Sequence, residues 1–332
     1  MPQEDSHNRQ QGATAPASIC ADGLDAAVRY AAEQKSSALL VVQRGRVVRE
    51  EYWTISEPGD AVHFLHGHTA DGQPREDVTS IQKSITGLLI FIAASRGKFD
   101  PSLSVSTYLG RGWSEAPSDA ETKITVYHLT AMASGLDREL HYLCPPMTRW
   151  DYNTRGYTKA RLALEAGVGL TVQEMTERWL CQPLGLDNSR WMPRPRNPKS
   201  PLAFVTTARD LARTGELLLR RGRVGGESLI DERLLETMTT PSQSDNPSYA
   251  HFWWLNGQPH WIGTHGTRHA GYRIPAAPAD TIMAYGKFSR YLWIVPGRDL
   301  IIVRLGAEPP DGFAFANRFW SRLLVDRVAS AK

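Results

Sequence analysis

Cysteine is nearly absent: Cys20, Cys144 and Cys181 are the only three in 332 residues, odd in number and far apart. That argues against a disulfide framework and fits free thiols in a reducing compartment. Paired Cys spacings and His-Glu-x-x-His are also missing, so His63, His66, His68, His265 and His269 read as loop histidines, with no metal site expected. Long hydrophobic runs are lacking too, since the apolar stretch Ile85 to Ala94 falls short of the ~20 residues that span a bilayer. Charge of neither sign dominates. Against 35 acidic residues stand 38 Lys and Arg, a net +3 without a basic block, which excludes nucleic acid and anionic membrane as expected partners. No Gly-rich phosphate loop follows a strand, and no Gly-x-Ser-x-Gly elbow occurs, so nucleotide binding and an α/β-hydrolase are disfavoured. The stretch Met1 to Ser18 is polar where a signal peptide needs basic and then apolar residues; a disordered tail over residues 1–20 and a cytoplasmic location are the expectations.

What is present is an ordinary globular composition, 41% apolar and 22% charged, in a chain long enough for two domains or one large composite. Asp22 to Lys35 has helical spacing, and two strands, Ala38 to Gln43 and Val47 to Trp53, close on Arg44-Gly45-Arg46 as a hairpin. Ser56 to Val78 has no period and reads as a long connection of the kind that borders a site. From Ser80 to about Pro241 the pattern is mainly helical, with helices at Ile124 to Met132, Tyr157 to Gly167, Thr171 to Leu180 and Thr206 to Arg221. Strands then return at Phe252 to Leu255, Thr281 to Tyr285, Tyr291 to Val295 and Leu300 to Leu305, followed by an amphipathic helix from Phe313 to Val328. This order predicts an α+β fold: an antiparallel sheet built from both chain ends, flanked by the terminal helices, with a large helical insertion. The expected division is a sheet domain of 21–78 plus 242–332 and a helical domain of 79–241, with a site at their interface.

The chemistry concentrates at Thr79-Ser80-Ile81-Gln82-Lys83-Ser84. Ser80 stands where a helix should begin, as Ser and Thr are good N-caps, and Lys83 lies one turn on, on the same face. Between Lys83 and Arg96 no charged residue occurs, so the helix reads as buried. Burial and the positive helix end both disfavour an ammonium, which predicts a depressed lysine pKa and an amine able to take the Ser80 proton. The same spacing recurs at Ser95 and Lys98, but there at a helix C-terminus, where a solvated lysine meets the dipole favourably. Spacing alone therefore decides little; the apolar helix behind Lys83 is the reason to choose Ser80. Tyr152, on a loop, could reach the pair, and a nearby cation would favour its phenolate. Gly286, ending a strand, would allow close approach by a ligand, with the next N–H as an oxyanion donor.

In this order the chain resembles the serine β-lactamase-like superfamily, in the branch of class C enzymes, DD-peptidases and esterases that includes 6-aminohexanoate-dimer hydrolases. The matching parts are Ser80 to Ser84, Ile124-Thr125 with His128-Leu129 and Ser134-Gly135-Leu136, Tyr152 with Gly156-Tyr157, Pro183 to Leu186, Thr207 to Arg213, Trp253-Trp254, and Gly286 with Val295-Pro296 and Asp299-Leu300. The resemblance implies the β-lactamase/transpeptidase-like fold and an acyl-enzyme on Ser80, with Lys83 and Tyr152 moving the proton, no cofactor, and the amides of Ser80 and Lys287 holding the oxyanion. Asn153, Tyr285, Gly286 and Trp253 are the expected substrate contacts. Two departures stand out. The family's Tyr-x-Asn becomes Tyr152-Asn153-Thr154, and its Lys/His-Thr-Gly becomes Ala284-Tyr285-Gly286, leaving Lys287 or Arg290 as substitutes for the missing charge. Both departures argue for small esters or amides as substrates rather than β-lactams or peptides. The same parts could serve an acyltransferase, and a silent ligand-binding module would keep the fold without turnover.

Overall fold

The computed structural model describes residues 19–57, 59–195 and 197–324. The expected disordered tail falls mostly outside this range, as does the end of the expected terminal helix. In chain order come α1 (Ala21–Glu33), β1 (Ser36–Gln43), β2 (Arg46–Tyr52), β3 (Leu65–His68), β4 (Pro74–Asp77), α2 (Ile81–Ser95), α3 (Thr154–Val168), β5 (Arg190–Pro193), β6 (Leu202–Thr206), α4 (Ala208–Leu219), β7 (Trp254–Leu255), β8 (Ile282–Gly286), β9 (Arg290–Val295), β10 (Leu300–Gly306) and α5 (Ala314–Leu323). Shorter helices fill the intervals, among them Val126–Thr130 and Glu232–Thr239.

Six strands form one antiparallel sheet in the order β2-β1-β10-β9-β8-β7, so both ends of the chain contribute, as expected for this α+β fold. Its first hairpin turns on Arg44 and Gly45, whose φ angles of 52° and 69° match the twist of the flanking strands. Successive residues of a strand face opposite sides, and β9 uses this to collect two helical layers. Trp293 stacks on Phe319 of α5, with ring centroids 5.5 Å apart. Its neighbours Leu292 and Ile294 point the other way, onto α4, where Gly215 leaves room for both. Helix α2 is buried from Ile81 to Ala93 and touches β8, β9, α3 and helix Glu232–Thr239. It is the core element shared by the sheet and the helices, as its uncharged sequence requires.

Three expectations need correction. The segment 56–78 is not structureless: it carries a 3-10 turn and the strands β3 and β4. These pair in a second sheet, β3-β4-β6-β5, so pairing runs across position 78 into a stretch read as helical. A period-2 signal in strands of four or five residues is too short to register. The helix expected at Ile124 to Met132 shrinks to Val126–Thr130, capped reciprocally by Thr125 and His128. Among the described residues, no helix is long and apolar enough to cross a membrane.

Candidate active site

The site begins in the turn between β4 and α2. Thr79 adopts a left-handed φ of 53°, unusual for a β-branched residue, and its N–H donates to Asp77 Oδ1 at 2.8 Å. Ser80 follows in helical geometry, with φ −70° and ψ −11°, and its side chain makes no cap hydrogen bond. The capping role expected for this serine is therefore corrected. Freed from the backbone, the Ser80 hydroxyl lies 3.1 Å from Lys83 Nζ.

Lys83 is only 3% exposed and forms no ion pair among the described residues; its ammonium position is bounded by the rings of Tyr152 and Tyr157, at 5.0 and 4.9 Å. Burial first, and the charge of Arg194 second, pull its pKa down to about 7. A large fraction of the amine is thus neutral at physiological pH. Tyr152 lines the same cavity as Ser80, and burial pushes its phenol up to about 12. The phenolate expected near a cation does not form at neutral pH, because desolvation outweighs the attraction of Arg273. Trp254 stacks behind the Tyr152 ring at 6.4 Å, and Arg273 lies 4.0 Å over Trp254 and 5.0 Å over Tyr285.

Gly286 is where β8 meets the turn that carries Ser80. A Cβ there would sit 2.4 Å from Thr79 Oγ1 and 2.5 Å from the Val78 carbonyl oxygen. One close approach that this glycine permits is made by the chain itself, and Gly286 also lines the cavity that opens on Tyr152. That approach brings Lys287 beside Ser80, and both residues line two cavities. One, of about 460 Å³, also has Tyr152, Tyr285 and Phe313 in its wall. The other, of about 650 Å³, is lined by Lys83, Asp77, Arg194 and His63. Ser80 is thus reachable from both sides.

Several expected contacts are not brought together. Asn153 is 3% exposed, and its amide is spent: Oδ1 accepts from Gly156 N–H at 2.8 Å as the cap of α3, and Nδ2 donates to the Asp137 carbonyl at 2.6 Å. Trp253 is fully buried in the core beneath α2 and lines neither cavity. Arg290 is 1% exposed and paired with Glu76 at 2.7 Å, so of these two substitutes exposed Lys287 is the one that faces the cleft, whose walls also carry Arg138, Arg155, Lys199 and Arg194. His63 and His66 border one cavity and His265 the other, while His269 stacks on Trp261. Among the described residues, no group of three His, Cys, Asp or Glu side chains is placed to hold a metal ion. Sequence reasoning missed Arg194 and Arg273. Neither sits in a recognisable pattern: Arg194 meets Asp77 from 117 positions away, and Arg273 meets aromatic rings on three separate segments.

A sequence model described as Beta-lactamase matches residues 24–326. No curated protein matches the chain. Solved structures do. The D-alanine carboxypeptidase AmpC from Burkholderia cenocepacia superposes with a TM-score of 0.65 at 16% identity, covering 91% of this chain and 99% of that one. EstCE1, described as a hydrolase with promiscuous acyltransferase activity, gives 0.65 at 14% identity over 91% and 98%. A penicillin-binding protein homologue from Caulobacter crescentus gives 0.64 at 15% identity over 92% and 97%. Identities this low speak for the fold alone.

Proposed function

The chain belongs to the beta-lactamase family, and from that premise we propose that it is a serine hydrolase acting on small carboxylic esters or amides through an acyl-Ser80 intermediate. The observation that carries this reading is the 3.1 Å separation of Ser80 Oγ and the buried Lys83 Nζ. A hydroxyl attacks a carbonyl only as its proton leaves, and a neutral amine at that distance can accept it.

In this reading Ser80 Oγ bonds to the substrate carbonyl carbon while its proton passes to Lys83. The tetrahedral oxyanion is held by the amide N–H groups of Ser80 and Lys287. Collapse breaks the bond to the leaving alcohol or amine, which takes the proton from Lys83, relayed by the Tyr152 hydroxyl. Being a phenol at neutral pH, Tyr152 can donate and accept in one step without bearing charge. Water then attacks the acyl-serine, Lys83 takes its proton, and Ser80 Oγ leaves with a proton restored. No cofactor enters these steps. Substrate would occupy the cavities on the two sides of Ser80, with Tyr285 and Lys287 in contact with it. The missing charge at Tyr285 favours esters and small amides over β-lactams.

The test is labelling with a fluorophosphonate, followed by peptide mass spectrometry, beside an ester and amide panel that includes nitrocefin. An adduct on Ser80 and turnover of p-nitrophenyl esters are expected; no adduct on Ser80 overturns the proposal. Adding an acceptor alcohol and measuring how product partitions separates hydrolysis from acyl transfer.

A further inference from the structure

The nucleophile turn is held by an ion pair whose cation also faces the base. Arg194, just beyond β5, grips Asp77 with two nitrogens along one edge of its guanidinium: Nε donates to Oδ2 at 2.9 Å and Nη2 to Oδ1 at 2.6 Å. The pair is largely shielded, with side-chain exposures of 17% and 4%. Asp77 Oδ1 in turn accepts the Thr79 N–H, which fixes the left-handed residue directly before Ser80. Arg194 also donates to Gln82 Oε1 at 3.2 Å and to Ser200 Oγ at 3.1 Å, so it ties the first turn of α2 to the strap after β5.

We infer that Arg194 is the residue that positions the Ser80 turn and sets the charge of the cavity wall facing Lys83, a role that rests on the acyl-Ser80 reading. The surroundings of Lys83 support it. From the start of its own helix come the hydroxyl of Ser80 and the uncharged side chains of Gln82 and Thr86; the loop before α3 and α3 itself supply the phenols of Tyr152 and Tyr157. The turn after β8 contributes Lys287, and the stretch before β4 contributes Asp60, His63 and His66 to the same cavity. Asp77 is the carboxylate on the strand leading into the turn, and Arg194 cancels it. Burial is the larger cause of the low Lys83 pKa, and Arg194 is the charge that adds to it. Removing Arg194 would both withdraw a repelling cation and bare an anion near the amine, two changes of one sign. Asp77→Asn keeps an acceptor for the Thr79 N–H but leaves Arg194 unpaired, a change of the opposite sign.

The experiment reads the rate of Ser80 labelling by a fluorophosphonate against pH, with thermal melts to verify folding. Arg194→Met should move the acid limb up by about one pH unit or more, while Asp77→Asn should leave it at or below that of the wild type. Arg194→Lys, which keeps the charge but loses the two-nitrogen grip, should hold the limb and slow labelling. If Arg194→Met does not melt cooperatively, Arg194→Gln, which can still donate to Asp77, carries the same expectation. An unmoved limb in the Arg194 variant overturns the inference. So does an equal upward shift in Asp77→Asn, since that would mean water had merely reached Lys83. Failure of the acyl-Ser80 reading looks different: Ser80→Ala would still turn over ester.

Discussion

Gly286 and Thr79 touch so closely that no other residue fits between the strand and the turn before Ser80: an added Cβ would lie 2.4 Å from Thr79 Oγ1. The contact sets Lys287 and Ser80 side by side. Gly286→Ala should therefore push β8 and the turn apart, costing about 1–3 kcal/mol, the usual range for overpacking. A lowered denaturation midpoint together with slower labelling of Ser80 is the expected pair of results; unchanged labelling would break the link between strand and nucleophile.

Lys83 predicts the pH profile. With its pKa near 7, the amine is protonated below that pH and neutral above it, so kcat/KM should fall as pH drops through about 7. Tyr152, near 12, should add no basic limb in the usual assay range. Lys83→Ala should lose about 10²–10⁴-fold in rate, the contribution of a positioned general base, measured with a p-nitrophenyl ester.

The same lysine carries a stability cost. Its pKa is lower in the folded protein than the ordinary 10.5, so the unfolded chain binds the extra proton between those values and stability rises with pH across that window. Below about 7 the full cost of a buried ammonium applies. Lys83→Met should consequently be inactive yet more stable, with a Tm gain of roughly 2–4 °C per kcal/mol recovered. The gain should be larger at pH 6 than at pH 9 in differential scanning fluorimetry.

Asn153 offers a direct contrast between a cap and a substrate contact. Since both ends of its amide are bonded within the protein, Asn153→Ala should cost about 0.5–2 kcal/mol of stability, as lost N-caps do. KM for small esters should stay close to the wild-type value, whereas a substrate contact would raise KM without a comparable loss of stability.

Tyr152→Phe removes one hydroxyl and keeps the ring that Trp254 backs. The variant should melt like the wild type but acylate or deacylate more slowly, seen as a change in burst size or steady-state rate with a p-nitrophenyl ester. Wild-type kinetics would remove Tyr152 from the proton path.

The large sheet, its terminal helices and the buried helix α2 were all legible in the chain, because periodicity and the absence of charge are local properties written along it. The pairing of Ser80 with Lys83 was legible for the same reason, since one helical turn fixes their spacing. Asn153 and Trp253 were misread because a motif names residue types, not the direction a side chain takes once neighbouring segments pack. The short strands β3 to β6 were lost because four or five residues are too few to show a period. Arg194 reaches a carboxylate 117 positions away, and Gly286 meets a turn more than 200 residues before it. Such contacts arise only when distant segments are brought together, and they decide which way the serine faces and how readily the lysine gives up its proton.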